Sequence, residues 1–467
     1  MKLIARAAAC MLAALIGIPA SAGAQAADPL TDAVLNAVKA SRAPGAAVAV
    51  MRDGTVTFES GFGVRDIGTK APVDVHTRFE IGSITKQFTA AAILQLKEQG
   101  KLALSDPLGK YVPQYAPGKA VTLAQLLGQV SGIPNYTDAN HFLSIATHPA
   151  SLNAVLALIK GKSLEFKPGT KWAYSNTNYY LLGRVVEAAS GTTWESYVRA
   201  HIFVPAGMTE STFATEESGV PDMATGYELQ KGKFVPAQPL GAWAYAAGAI
   251  VSTAGDLLKW DRALFGGKLI SAADLQLMTQ AGRLPSGKST RYGFGWIIGT
   301  HDGTTRISHG GGTFGFAAEN DVYPKLGEAV VALQNSSDAT PTIITARAFD
   351  VLNPQLAQAE TKAASGEDPN VTARVKAVWA MFVSGNLDRS QLDAGMNKAI
   401  TPQVLAAAGE QFKTVGTAQT WVYRGKKSTP QYTTYVYLVT FSSGAKLNLT
   451  MSVDKDGKIA GFFAAPG

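Results

Sequence analysis

Cysteine is almost missing from this 467-residue chain: its one example is Cys10, inside an apolar stretch near the N-terminus. Beyond that stretch there is no disulfide partner and no thiolate nucleophile, which excludes thiol catalysis and disulfide scaffolds. Long runs of one charge are also missing. The formal charge of +7 comes from 42 Lys and Arg against 35 Asp and Glu, spread along the chain without a basic block. A nucleic-acid partner therefore has no support. The six histidines are scattered, and there is no His-Glu-x-x-His, phosphate-cradling loop or dinucleotide fingerprint. No metal and no cofactor are expected. His76, His141, His148, His201 and His301 read as structural or solvated.

What remains is ordinary globular material, 46% hydrophobic and 16% charged, enough for two or three domains. The N-terminus reads differently. Met1, Lys2 and Arg6 form a short basic region, Ala7 to Ile18 an apolar run, and Ala24-Gln25-Ala26 a small-residue cleavage pattern. Residues 1–26 are thus expected to be a signal peptide cut after Ala26, making the protein periplasmic or secreted. The run is too short for a membrane span, and no later segment is long and apolar enough for one. Losing Lys2 and Arg6 lowers the charge from +7 to +5.

Periodicity then outlines the chain. Asp28 to Ser41 reads as a helix, Gly45 to Met51 and Thr55 to Val64 as strands joined by an Asp53-Gly54 turn, and Ser83 to Lys97 as a helix ended by Gly100. Helices are expected at Thr122–Leu127, Leu152–Ile159, Asn178–Ala189, Ser252–Phe265, Ser271–Gln280 and Thr340–Leu352. Strands are expected at Tyr292–Gly299, Thr305–His309, Phe314–Tyr323 and Ala329–Leu333. A sheet built from both ends of a domain, with helices inserted between, predicts two lobes and a cleft. Ala359 to Asn370 reads as a linker. After it come two helices, Val371–Ser384 and Pro402–Phe412, then alternating strands at Tyr432–Phe441 and Lys446–Val453 and a return strand from Ile459.

Three short clusters carry chemistry. Ser83-Ile84-Thr85-Lys86 puts a hydroxyl and an amine three residues apart, on one face if the segment is helical. A hydroxyl is a poor nucleophile without such a neighbour. The same spacing in Ser443-Gly444-Ala445-Lys446 falls at a turn into a strand, so the bare pattern is weak and Ser83 in isolation could be only a helix cap. Tyr174-Ser175-Asn176 places a phenol and an amide on alternate positions of what reads as an extended loop. His309-Gly310-Gly311-Gly312 follows a β-like run, where residues without Cβ let a substrate lie against a strand edge. The last tetrapeptide also occurs as an oxyanion loop of α/β-hydrolases, but no Gly-x-Ser-x-Gly elbow is present.

In this order the clusters resemble the serine beta-lactamase and penicillin-recognising superfamily, in its class C beta-lactamase, D-peptidase and esterase branch. Lys167 to Asn176, Leu126 to Tyr136 and Trp243 to Gly248 look familial too, with Gly128-Gln129 where relatives often carry Thr-His. The resemblance implies that Ser83 is the nucleophile and that Tyr174 acts as general base, with Lys86 and His309 nearby favouring its phenolate and the ammonium lowering its pKa. It implies that Asn176 orients substrate or lysine, that the Ser83 and Gly312 amides form the oxyanion hole, and that His309 and Gly311 stand at the third motif. Tyr245 could line the cleft or pack.

The fold class expected is α/β (α+β): a two-lobed domain at 27–358, an antiparallel sheet flanked by helices plus a helical lobe. A linker at 359–370 and a small α+β accessory domain at 371–467, resembling a cystatin-like or nuclear-transport-factor-like cone, follow. The expected activity is a serine hydrolase acting through an acyl-enzyme on small esters, D-amino-acid peptides or amides, or beta-lactams, with peptidase or esterase favoured over a dedicated beta-lactamase. The alternative is a non-catalytic binder of cell-wall peptides. The partner is a small molecule or peptide; the accessory domain's partner is unknown.

Overall fold

A computed structural model describes residues 28–140, 142, 146, 151–238, 243–360, 362–442 and 445–466. The leader and its cleavage site, His141, His148 and Ser443 lie outside the described residues. No helix among the described residues is long and apolar enough to cross a membrane.

A six-stranded antiparallel sheet organises the larger unit. Its order is Thr55–Gly63, Gly45–Arg52, Glu328–Gln334, Phe316–Tyr323, Thr304–Thr313, Ile297–His301. Both ends of the unit thus meet in one sheet, Ala46 pairing with Gln334 and Arg52 with Glu328. The central strand Gly45–Arg52 reads Gly-Ala-Ala-Val-Ala-Val-Met, and all seven are sheltered because helices cover both faces. On one face Leu30 and Val34 of helix Pro29–Ala40 meet Ile344 and Ala348 of helix Pro341–Leu352 over Val48 and Val50. On the other, Ala47 and Ala49 face the large core that holds helix Thr85–Glu98.

The helical lobe hangs on that second face. Helix Leu123–Leu127 opens with a reciprocal capping box between Thr122 and Gln125. Thr193, Thr253 and Ser271 each accept from the backbone amide three residues on. Ser252 does not start the following helix. It ends a strand, Ile250–Ser252, which joins Phe79–Glu80 and Thr212–Phe213 in a three-stranded sheet too short for periodicity to reveal. Tyr292–Trp296 is not strand either; Tyr292 makes only an isolated bridge to Ile297, where strand Ile297–His301 begins. Gly295, at φ +77°, passes so close to helix Thr85–Glu98 that a Cβ there would lie 2.8 Å from Lys86 O. A continuous strand cannot make that approach.

In the C-terminal unit, helices Pro369–Ser384 and Pro402–Thr414 cover one face of a four-stranded antiparallel sheet, Ala418–Ser428, Tyr432–Phe441, Lys446–Asp454 and Ile459–Pro466. Leu449 and Met451 lie in its core with Trp379 and Phe382, and Leu447 and Val453 pack against them. The stretch read as linker is partly helical, since Pro354–Glu360 and Pro369–Ser384 are helices. Lys446 ties the two units together: its Nζ lies 2.9 Å from Asp302 and 3.2 Å from Asp350, beside His301. The carboxylates and imidazole of His301, Asp302 and Asp350 would suit a cation, and Lys446 supplies that charge.

Candidate active site

The site forms where the three clusters meet at the seam between sheet and helical lobe. Ser83 sits in a 3-10 turn, Gly82–Ile84, which runs into helix Thr85–Glu98. That turn is wedged against strand Thr304–Thr313. Gly82 adopts φ +50°, and a Cβ on it would lie 2.6 Å from Gly312 N; a Cβ on Gly311 would lie 1.9 Å from Ile81 O and 3.3 Å from Ser83 N. The glycines therefore let the Gly82–Ile84 turn rest directly on the strand. Gly312 and Ser83 line the same small cavity of about 50 Å³, with Tyr136, Asn176, Ala247 and Thr313.

The second cluster differs from the extended loop expected. Ser175 is extended (φ −141°), but Asn176 already begins helix Asn176–Ser190, two residues earlier than periodicity predicts. The start is held by a partner outside the motif: Gln129 Oε1 accepts from Ser175 N at 3.1 Å and Asn178 Nδ2 at 2.5 Å. Gln129 thus ties the Gly128-Gln129 variation to the motif. Asn178, being half of this tie, turns inward and is fully buried.

Lys86 is fully buried and meets three oxygens: Ser83 Oγ at 2.9 Å, Asn176 Oδ1 at 2.9 Å and Ala247 O at 2.7 Å. Tyr174 donates to Ser83 Oγ at 2.8 Å. Burial holds the Lys86 amine well below its ordinary pKa, because a desolvated ammonium is disfavoured. A neutral amine fits these contacts. The two carbonyls can only accept and take its two N–H bonds, leaving its lone pair for the Ser83 hydroxyl.

The tyrosine corrects an expectation. Burial pushes the Tyr174 phenol up, outweighing the hydrogen bond with Ser83 that pulls it down. Lys86 Nζ lies over the ring, 4.9 Å from its centroid, where a cation meets the π-face instead of a phenolate oxygen. Tyr174 therefore rests as a neutral phenol and a proton donor to Ser83. His309 is likewise uncharged, its pKa pushed down to about 3, chiefly by burial. Its Nδ1 lies 2.6 Å from Gly310 O, an acceptor, so the proton sits there; Nε2 lies 3.2 Å from the Tyr292 hydroxyl. The ring stands 6.2 Å from that of Tyr174. A neutral His309 packed this way shapes the wall behind Tyr174 and adds no charge to favour a phenolate.

The structure thus gathers Ser83, Lys86, Tyr174, Asn176, Gly311 and Gly312 within contact of one another or of one cavity, and puts His309 one layer behind. Sequence reasoning missed Gln129, Tyr292 and Ala247. Tyr292 lay inside a presumed strand, and Ala247 acts through its backbone, which leaves no side-chain signal. Tyr245 does not line the cleft. Its neighbours Ala244, Ala247 and Gly248 do, while its own hydroxyl goes to Glu187. The other charged groups singled out lie apart: His76 pairs with Glu210 at the surface, and Lys446 pairs with Asp302.

A two-lobed α/β unit, with a serine–lysine pair on a helix start facing a glycine-rich strand, defines a class: the serine beta-lactamase and penicillin-binding superfamily. The chain belongs to the beta-lactamase family, whose sequence profile matches residues 30–352. It is 33% identical over 285 residues to the putative penicillin-binding protein PbpX of Bacillus subtilis, covering 61% of this chain and 68% of that one. Among solved structures, a D-stereospecific amidohydrolase from Streptomyces sp. is 26% identical with a TM-score of 0.60, over 69% of this chain and 97% of that one. An octameric penicillin-binding protein homologue from Pyrococcus abyssi shares the fold at 24% identity and TM-score 0.62, over 91% of this chain and 96% of its own. That last match is long enough to take in the C-terminal unit as well.

Proposed function

We propose that this protein is an exported serine hydrolase, periplasmic or secreted, working through an acyl-enzyme on small esters or amides. D-amino-acid amides and peptides are included, and beta-lactams are minor substrates. The observation that carries this reading is the pair of contacts on one hydroxyl: Ser83 Oγ at 2.9 Å from Lys86 Nζ and 2.8 Å from the Tyr174 hydroxyl, at a cavity lined by Gly312.

In the reaction this geometry supports, Ser83 gives its proton to the Lys86 amine as Oγ attacks the carbonyl carbon. The oxyanion is held by the Ser83 and Gly312 amides. The tetrahedral species collapses, and the leaving group departs with a proton supplied by the Tyr174 hydroxyl and made good from Lys86. Water then attacks the acyl-serine by the same steps reversed, releasing the acid. Asn176 holds the lysine through Oδ1 and is itself braced by Thr137 at 3.3 Å. Among the described residues, the cavity wall carries no acidic or basic side chain.

The test is a panel of p-nitrophenyl acetate and longer acyl esters, D-alanyl amides and dipeptides, and a chromogenic cephalosporin, run beside Ser83→Ala. Turnover of short neutral esters or D-amides by the wild type and none by Ser83→Ala supports the reading. Preferred turnover of the cephalosporin, or equal turnover by the variant, overturns it.

A further inference from the structure

Tyr245 is a strained residue with an unusual set of ties. Its φ is +38°, a region that an aromatic L-residue avoids because its Cβ crowds the backbone. It opens the short helix Tyr245–Gly248, whose backbone does the holding. Ala246 O accepts from Thr89 Oγ1 at 2.7 Å, and Ala247 O meets Lys86 Nζ at 2.7 Å. The ring is packed between Tyr180, at 4.9 Å, and Trp194, at 5.4 Å. Its hydroxyl donates to Glu187 Oε1 at 2.6 Å, on the helix that Asn176 begins. Gly183 of that helix is where the ring passes: a Cβ there would lie 2.6 Å from it and 2.4 Å from Ala246 Cβ. Strain of this kind persists only where the surroundings over-determine it.

We propose that the Glu187–Tyr245 hydrogen bond is the clamp that holds this turn in its strained form and so keeps Ala247 O against Lys86. Tyr245 and Glu187 are then positioning residues for the nucleophile, acting through the Ala247 carbonyl and never touching substrate. The inference rests on the acyl-enzyme reading above. A carbonyl aimed at Lys86 favours its charged form more than its neutral one. Releasing the clamp therefore moves the acid limb of the rate profile to lower pH. It also loosens the Ser83–Lys86 alignment, so kcat falls, while KM holds because Tyr245 lies outside the cleft.

The experiment compares pH profiles of kcat and KM for wild type, Tyr245→Phe, Glu187→Ala, Glu187→Gln and the Tyr245→Phe/Glu187→Ala double variant, with Ser83→Ala in the same assay. Tyr245→Phe and Glu187→Ala should each lose about tenfold in kcat with an acid-shifted limb and unchanged KM. The double variant should lose no more than either single one. Glu187→Gln keeps an acceptor oxygen and should stay near wild type. Wild-type kcat and limb position in Glu187→Ala, which also removes the partner of Arg184 and of the Trp194 amide, overturn the proposal even if Tyr245→Phe fails to fold. So does additive loss in the double variant. Failure of the underlying reading looks different: Ser83→Ala would then turn over substrate as the wild type does.

Discussion

Replacing Lys86 by methionine separates what the lysine does for catalysis from what it does for the fold. Methionine reproduces the length and apolar stem of a side chain that is fully buried. The change strips Ala247 O and Asn176 Oδ1 of a donor, a cost of about 1–3 kcal/mol for each buried acceptor left unpaired. Asn176 keeps part of its bonding through Thr137. Against this, the desolvation that holds the amine far below its usual pKa disappears with the amine, and swapping a buried ionisable group for an apolar one is often neutral. Stability should therefore change little. Catalysis should not survive, because among the described residues no other group within hydrogen-bond distance of Ser83 Oγ is basic: Tyr174 rests protonated. Loss of a positioned base is worth about 10²–10⁴ in rate, so a fall of about 10³ in kcat/KM, or about 4 kcal/mol in barrier, is expected. The assay is ester hydrolysis beside a thermal melt. A variant keeping more than a tenth of wild-type activity would refute Lys86 as base. A melt collapsed by tens of degrees would refute the claimed offset.

Four further outcomes follow from the same geometry. Tyr174→Phe removes one hydroxyl and should cut kcat by about 10²-fold with KM nearly unchanged, measured as a steady-state split. Buried His309 has its pKa lowered to about 3. Unfolded chains bind a proton there below about 6.5 and the folded chain does not, so stability should fall by up to about 1.4 kcal/mol per pH unit on acidification between those values. His309→Gln should flatten that slope in denaturant melts. Gly311→Ala should abolish activity, since its Cβ would lie 1.9 Å from Ile81 O and the nucleophile turn must move off the strand. Lys446→Ala takes the ammonium from Asp302 and Asp350, while Asp350 keeps Arg347 at 3.3 Å. It should cost about 1–3 kcal/mol at that junction, read as faster proteolysis between residues 360 and 369.

How far the chain could be read from its residues depended on the range of the forces involved. The hairpin at Asp53-Gly54, the apolar central strand and the Thr122 and Ser271 caps are local, and periodicity and turn chemistry place them within a residue or two. The start of the helix at Asn176 was misplaced because it is set by Gln129, 46 residues away from Ser175. Strands of two or three residues, such as Phe79–Glu80, are too short to show a period and form through distant pairing. In the site, Ser83, Lys86 and Tyr174 were legible because their chemistry is carried by side chains at recognisable spacings. Ala247 was not, since its part is played by a carbonyl. The protonation of Tyr174 was misjudged because sequence brings the ammonium near but cannot show that burial outweighs it.

The central claim is that Ser83 is the atom that bonds to substrate. Labelling with a fluorophosphonate probe, followed by peptide mapping, measures this directly. One adduct, on the peptide containing Ser83, absent from Ser83→Ala and strongly slowed in Lys86→Met, is the predicted result. An adduct on any other residue, or equal labelling of Ser83→Ala, would contradict the account.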